Sequence, residues 1–421
     1  MFYTVGKSMQ EKHRKKVFER YWNRNEIVFQ PKFPEDTEII VIIPVLNDSD
    51  IFLTVDSLCQ CSHLEGSVGV IIVVNHGEQL PEYVKEANRL LTSQLYGYVN
   101  EIEREGIVFQ IMEAFDLPAK NAGVGLARKL AMDAAAWWLY VHAKSDCPIA
   151  SLDADTWVDA NYTDAIIRCF KESSKAGVSI SYAHRLNECK GDMLTAIVKY
   201  ELYLRYYQLA LAYAGHPHAY HCIGSAFAVR AMDYVAEGGM NKRQAGEDFY
   251  FIQKLISTGR YGELRETKVY PSARCSDRTP FGTGRSVQQI MTEGTYFVYN
   301  WNAFEDLKHF FEGIDCLYKA SPNYVEEYMG RQVWGLQKYW KQMEGGRLLA
   351  EINANCASVE QFHKRFFDGF NAFRVLKYLN YMHENDYMKI EVSEAVSKLF
   401  SAYGWPEQRE DLEYLMFLRN L

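Results

Sequence analysis

The chain has 421 residues, 48% of them apolar and 24% charged, with 11 Pro and 27 Gly. That composition excludes collagen-like, low-complexity and disordered classes, and at about 150 residues per domain it makes two to three domains. Lys and Arg number 46 against 54 Asp and Glu, a net charge of −8, so nucleic acid, which needs clustered positive charge, is excluded as a partner.

Residues 1–36 read as a basic helical arm, with Lys7, Lys12, Arg14, Lys15, Lys16, Arg20 and Arg24. Tyr3, Val17, Phe18, Tyr21 and Trp22 are mixed in and would dock it on the body. A solvated helix face is the plainer reading of its charges, with peripheral contact to an anionic membrane as the alternative. The arm has no apolar h-region, so no signal peptide is expected. The longest stretch without Asp, Glu, Lys or Arg, Tyr206–Val229, is interrupted by Gly215, His216, Pro217, His218 and His221, so no transmembrane segment is expected. Nine cysteines are an odd count, and the close pair Cys59 and Cys61 lacks zinc spacing. Reduced, mostly buried thiols in a cytoplasmic protein are expected.

From Glu38, EIIVIIPV is a continuous β-branched run, the mark of a buried strand. A short helix (Ser49–Gln60) and a second buried strand, VGVIIVVN, follow. A polar helical region over Pro81–Glu105 leads to the strand IVFQIME. Beyond the loop DLPAKNAGVG lies a helix in which Leu126, Leu130, Ala134 and Trp138 repeat every four residues. CPIASLD and GVSISY read as a fourth and fifth strand. Strands alternating with helices make an α/β, Rossmann-like, mostly parallel sheet covered by helices on both faces. After Gly191 come a long aromatic helix (Asp192–Ala214), a short strand AFAV, a helix opened by Gly246 and a Gly/Ser/Arg loop, Pro271–Gly284. Beyond about 287 the chain reads as helices only. The expected domains are an arm at 1–36, an α/β domain at 37–285 and a helical domain at 286–421.

Four constellations carry chemistry. Asp153 and Asp155 lie one residue apart at the end of an apolar strand. On an extended chain they face the same side, and ligands of open α/β sheets bind outside the carboxyl ends of strands. Two like charges held so close suit a hard divalent cation, Mn2+ or Mg2+; a helix cap is the simpler alternative. Gly246-Glu247-Asp248 opens an amphipathic helix. The helix dipole favours acids there, and an ionised carboxylate so held can serve as a general base. Lys120–Arg128 (KNAGVGLAR) offers backbone amides and Arg128 to an anion at a helix start, or simply makes a tight turn. Arg274, Arg278 and Arg285 sit among small residues, as in an anion-binding lid or a turn fixed by ion pairs. HPHAYH has no standard zinc spacing; His221 is read instead as lining an acceptor pocket.

In this order IIVIIPVLND (39–48), VVNHG (73–77), NAGVGLARK (121–129), SLDADTWV (151–158), GSAFAVRA (224–231) and GEDFYF (246–251) resemble the family-2 glycosyltransferases of the GT-A fold. The resemblance spans about residues 38–285. It implies a nucleotide-sugar donor, UDP-sugar by preference. Pro44, Val45 and Asn47 would match the nucleotide-binding first loop. Asn75 stands where the family often has an Asp on the base, and Asn121 and Arg128 fall near the nucleotide. Asp155 would match the principal metal ligand of the DXD motif, with Asp153 against the ribose or the metal. Asp248 would match the catalytic base, with Glu247 supporting it, in an inverting transfer to an acceptor hydroxyl. A retaining GT-A enzyme, a nucleotidyltransferase and a catalytically silent carbohydrate-binding scaffold are the alternatives. The nucleotidyltransferase would show a G-x-G-x-R loop where this chain has PVLNDSD. The C-terminal helices would cap the acceptor or form a homodimer.

Overall fold

A computed structural model describes residues 2–102, 104–242, 246–275 and 282–421, with side chains from residue 11 onward. Contacts divide the chain into two compact units: residues 1–185 with 222–272, and 186–221 with 273–421.

The first unit is α/β. Helix α1 (Phe2–Trp22) is followed by β1 (Thr37–Val45), α2 (Ile51–Cys59), β2 (Ser67–Gly77), α3 (Glu82–Glu101), β3 (Ile107–Leu117), α4 (Val124–Val141), β4 (Pro148–Ser151), β5 (Thr156–Val158), α5 (Tyr162–Glu172) and β6 (Gly177–Tyr182). After helix α6 (Asp192–Tyr213) of the second unit come β7 (Phe227–Arg230), α7 (Ala231–Ala236), α8 (Glu247–Ser257) and β8 (Tyr261–Pro271). The eight strands form one mostly parallel sheet in the order β3-β2-β1-β4-β7-β6-β8-β5. β1 pairs in parallel with β2 and β4; β7 runs antiparallel to β4 and β6, and β5 antiparallel to β8. The runs Ile39–Ile43 and Val70–Val74 are almost wholly buried, as β-branched strands at a sheet centre must be. Pro44 lacks an N–H, and it sits past Ile42, the last residue of β1 in register with β4.

Two strands of this sheet were not expected. β5 directly follows Asp155, where a helix cap was the simpler alternative, and β8 runs through the charged segment YGELRETKVYP. β8 conceals its alternation because its register on β6 jumps from Ile180↔Leu264 to Ser181↔Lys268. Residues 265–267 are looped out of the ladder, so the apolar period is broken mid-strand.

The second unit comprises α6, α9 (Thr283–Glu293), the short β9 (Phe297–Val298), α10 (Trp301–Glu312), α11 (Pro322–Gly330), α12 (Trp334–Gln342), α13 (Gly345–Ala354), α14 (Val359–Gly369), α15 (Ala372–Asn385), β10 (Ile390–Glu391), α16 (Val392–Tyr403) and α17 (Asp411–Arg419). β9 and β10 form a two-stranded ribbon where helices alone were expected. α6, expected within the 37–285 domain, belongs to this unit: Leu202, Tyr206 and Ala210 pack with Phe304, Leu307 and Leu415. The fully buried Glu201 of α6 accepts from Arg205 and Arg419. All nine cysteines are free; Cys275 and Cys316 are exposed rather than buried.

Candidate active site

The site is built on the turn beyond the carboxyl end of β4. Leu152 N–H donates to the Ile42 carbonyl (3.0 Å), carrying the β1–β4 pairing one residue past Ser151. The chain then turns rather than continuing extended: Thr156 N–H donates to the Asp153 carbonyl (3.2 Å). Thr54 of α2 donates to the Ala154 carbonyl (2.8 Å), and Ser272 N–H to that of Asp155 (3.1 Å). The two acids are therefore presented by a pinned turn, not by the pleat of a strand, and both are half-buried.

Arg128, one turn into α4, is 2% exposed and faces this turn. Its Nε donates to Ser151 Oγ (3.0 Å), its Nη2 to Asp153 Oδ1 (2.6 Å) and its Nη1 to the Glu247 carboxylate. A planar guanidinium suits three acceptors in a fixed fork. Gly246, in the left-handed region at φ 72°, caps α8 and starts it at Glu247, where the positive end of the helix dipole favours acids. Asp248 Oδ1 accepts from the Phe249 N–H (2.7 Å). The third wall is Gly224: a Cβ there would lie 2.8 Å from Arg128 Nη2 and 3.1 Å from Asp248 Oδ2. Glycine at 224 thus lets the backbone approach both groups.

Burial pushes the Glu247 carboxyl up to about 7, against the pull of Arg128 and with the help of neighbouring Asp248. Asp248 is also raised, first by burial; Arg128 lowers it and Asp153 raises it. Glu247 and Asp153 both pair with the one buried cation, Arg128, with Asp248 as a third acid beside it, and of these the Asp153 side chain is 40% exposed.

A second group of expected residues lies at the ends of β1 and β2. Asn47 has φ 46°, which Asn tolerates, and its N–H donates to Asn88 Oδ1 (2.9 Å). Asn88 Nδ2 in turn donates to the Asn75 carbonyl (3.1 Å). The wholly buried Asn88 of α3 thus ties the two loops together. Sequence reasoning passed over it because one Asn in a polar helix looks solvated. Pro44 and Val45 close β1, paired in register with Val73 and Val74, and are buried. Asn121 is half-buried in a turn closed by its N–H on the Pro118 carbonyl (2.9 Å). Ser151, also missed, had no signal beyond a small polar residue ending an apolar strand.

Arg274 and His221 are half-buried in the second unit, and Arg285 is exposed there. Arg278 lies outside the described residues. Among the described residues no three His, Cys, Asp or Glu side chains are grouped to hold a metal. The donor set is nevertheless of the hard oxygen type: Asp155 and the Asp153 oxygen not engaged by Arg128 would suit Mn2+ or Mg2+ if a ligand supplied further oxygens.

No protein-family model and no curated protein matches the chain. Solved structures similar to it include residues 1–349 of TarS from S. aureus in complex with UDP-GlcNAc, at 12% identity over 80% of this chain and 92% of that one, TM-score 0.39. Longer TarS is similar at 10% identity over 82% and 55%, TM-score 0.36. The mannosyltransferase PcManGT from Pyrobaculum calidifontis, in complex with GDP-Man and Mn2+, is similar at 12% over 92% and 99%, TM-score 0.34. At these identities and TM-scores the likeness identifies neither activity nor substrate.

Proposed function

We propose that the chain is a glycosyltransferase that moves a sugar from a nucleotide-sugar donor, UDP-sugar by preference, to an acceptor hydroxyl with inversion. The observation that supports it most is the convergence of Asp153, Glu247 and Asp248 on buried Arg128, next to the Asp155 turn past β4.

Asp248 is the general base. Burial raises its pKa, so its carboxylate takes up an acceptor proton more readily than an ordinary Asp would. The acceptor oxygen then attacks the anomeric carbon as the diphosphate departs. Arg128 holds Glu247 and Asp153, and Gly224 lets the backbone come close to both Arg128 and the base. Asp155, with the second oxygen of Asp153, would hold Mn2+ or Mg2+, which when bound neutralises the leaving diphosphate. Asn47 and Asn75, tied through Asn88, would border the nucleoside.

The test is a turnover screen with UDP-, GDP- and dTDP-sugars, with Mn2+ and with chelator. Wild type should release nucleoside diphosphate from at least one donor, and Asp248→Asn should lower kcat at least about 100-fold. Asp155→Ala should abolish metal-stimulated turnover. Silence with every donor and no thermal shift by any nucleotide would leave the silent scaffold as the better reading.

A further inference from the structure

The start of α8 must be held against Arg128, and the contacts that hold it lead back to the N-terminal helix. Resting on the transferase reading above, we infer that Tyr21 and Gly239 are positioning residues for the Glu247–Asp248 turn, with α1 as the brace.

Next to Arg128 on α4 stands Lys129. Its Nζ donates to Asp133 Oδ2 (2.8 Å) and to the Tyr21 hydroxyl (2.8 Å). The hydroxyls of Tyr21 and Tyr234 both donate to Asp133 Oδ1, at 2.7 and 2.6 Å. These four side chains come from α1, α4 and α7, and none is more than 5% exposed. One cation and one anion balance, and every hydroxyl is engaged, so the cluster is a satisfied buried network that fixes three helices relative to one another.

The segment leaving α7 is seated on that network. Gly239 N–H donates to the Tyr234 carbonyl (2.9 Å), and the Met240 N–H bonds the Tyr234 hydroxyl. Gly239 has φ 67°, and a Cβ on it would run into the Tyr21 hydroxyl oxygen. Position 239 is therefore glycine for two reasons, a left-handed backbone and a tyrosine in the space a side chain would need. From the other side, Lys254 of α8 donates to the carbonyls of Glu237 and Gly239, at 3.2 and 3.4 Å. The 237–240 turn is thus clamped between Tyr21 and the helix whose first residues are Glu247 and Asp248. One turn of α4 faces the carboxylates with Arg128 and the brace with Lys129.

Tyr21→Phe removes the hydroxyl but keeps the ring, and leaves Lys129 paired with Asp133. The expected result is a kcat about tenfold lower with donor KM within about twofold, since binding groups are untouched and only the base is displaced. Hydrogen–deuterium exchange should accelerate at 237–242 and 246–250 and stay unchanged in α5. Gly239→Ala should reproduce both effects. Added to Tyr21→Phe it should cost less than the product of the two single losses, because the hydroxyl it strikes is gone. Unchanged exchange at 237–250 in both variants, a KM rise that accounts for the whole loss, or strictly multiplicative losses would overturn the brace. If wild type turns over no donor, the transferase reading fails by itself. The exchange measurement, which needs no activity, then decides the brace alone.

Discussion

At the scale of single residues, Arg128 is the group on which the acids depend. Its three acceptors lie 23, 25 and 119 positions away in sequence, which no local pattern reveals. The sequence did mark Arg128, Asp153, Glu247 and Asp248 individually, each from a strand end or a helix start. What it lacked was the pairing, because pairing is a property of the folded sheet. Removing the guanidinium in Arg128→Met leaves Glu247, 2% exposed, without its cation. Breaking a buried pair from one side costs about 3–5 kcal/mol, so urea unfolding of this variant should show a loss of that size. Arg128→Met,Glu247→Gln should recover part of it. Gly224→Ala should act on turnover instead. Its methyl meets Arg128 and Asp248 at 2.8 and 3.1 Å, so kcat should drop with the far-UV circular dichroism spectrum unchanged.

At the scale of elements, strands were legible where burial was two-sided and the run unbroken, as in β1 and β2. They were illegible where a bulge or a charged composition interrupted the period, as in β8. Junctions between elements depend on residues of the same hidden kind. Arg230 closes β7 and its guanidinium donates to four carbonyls: Lys175 (3.2 Å), Asp146 (2.7 Å), Phe170 (3.0 Å) and Ser173 (2.9 Å). Three of these, Phe170, Ser173 and Lys175, belong to the carboxyl end of α5 and the residues just after it, where helix carbonyls lack intrahelical partners. A lysine ammonium cannot span all four. With about 1 kcal/mol for each hydrogen bond lost, Arg230→Lys should lower stability by about 2–3 kcal/mol in denaturant titration. Fast hydrogen exchange should appear first at 170–175.

At the scale of the whole chain, the division into units follows contacts rather than chain order. The aromatic spacing of α6 announced a change of character after Gly191, but not that the helix is core to residues 273–421. That unit carries its own acid sensitivity. His216 is 3% exposed; its Nε2–H donates to the Phe370 carbonyl (3.0 Å) and its Nδ1 accepts from the His218 N–H (3.2 Å). Burial lowers its pKa to about 3 from 6.5, and His218 is lowered to about 4. Above pH 6.5 folded and unfolded chains are both neutral at His216, so nothing is lost. As pH falls from 6.5 towards 3 the unfolded chain gains the proton first, and stability drains at about 1.4 kcal/mol per unit. Going from pH 7 to pH 5 should weaken this unit by about 2 kcal/mol through His216, with His218 adding to it in the same direction, and His216→Gln should remove the His216 part of that slope in exchange-monitored unfolding. The thiols differ between the units as well. Burial pushes Cys61, Cys147 and Cys222 up to about 12, so at neutral pH they offer almost no thiolate. The two exposed cysteines, 275 and 316, both belong to the helical unit. A maleimide dye applied briefly to the native protein should therefore tag that half first, ahead of the half-buried thiols of the α/β unit, giving a fluorescent reporter without engineering a single new attachment point.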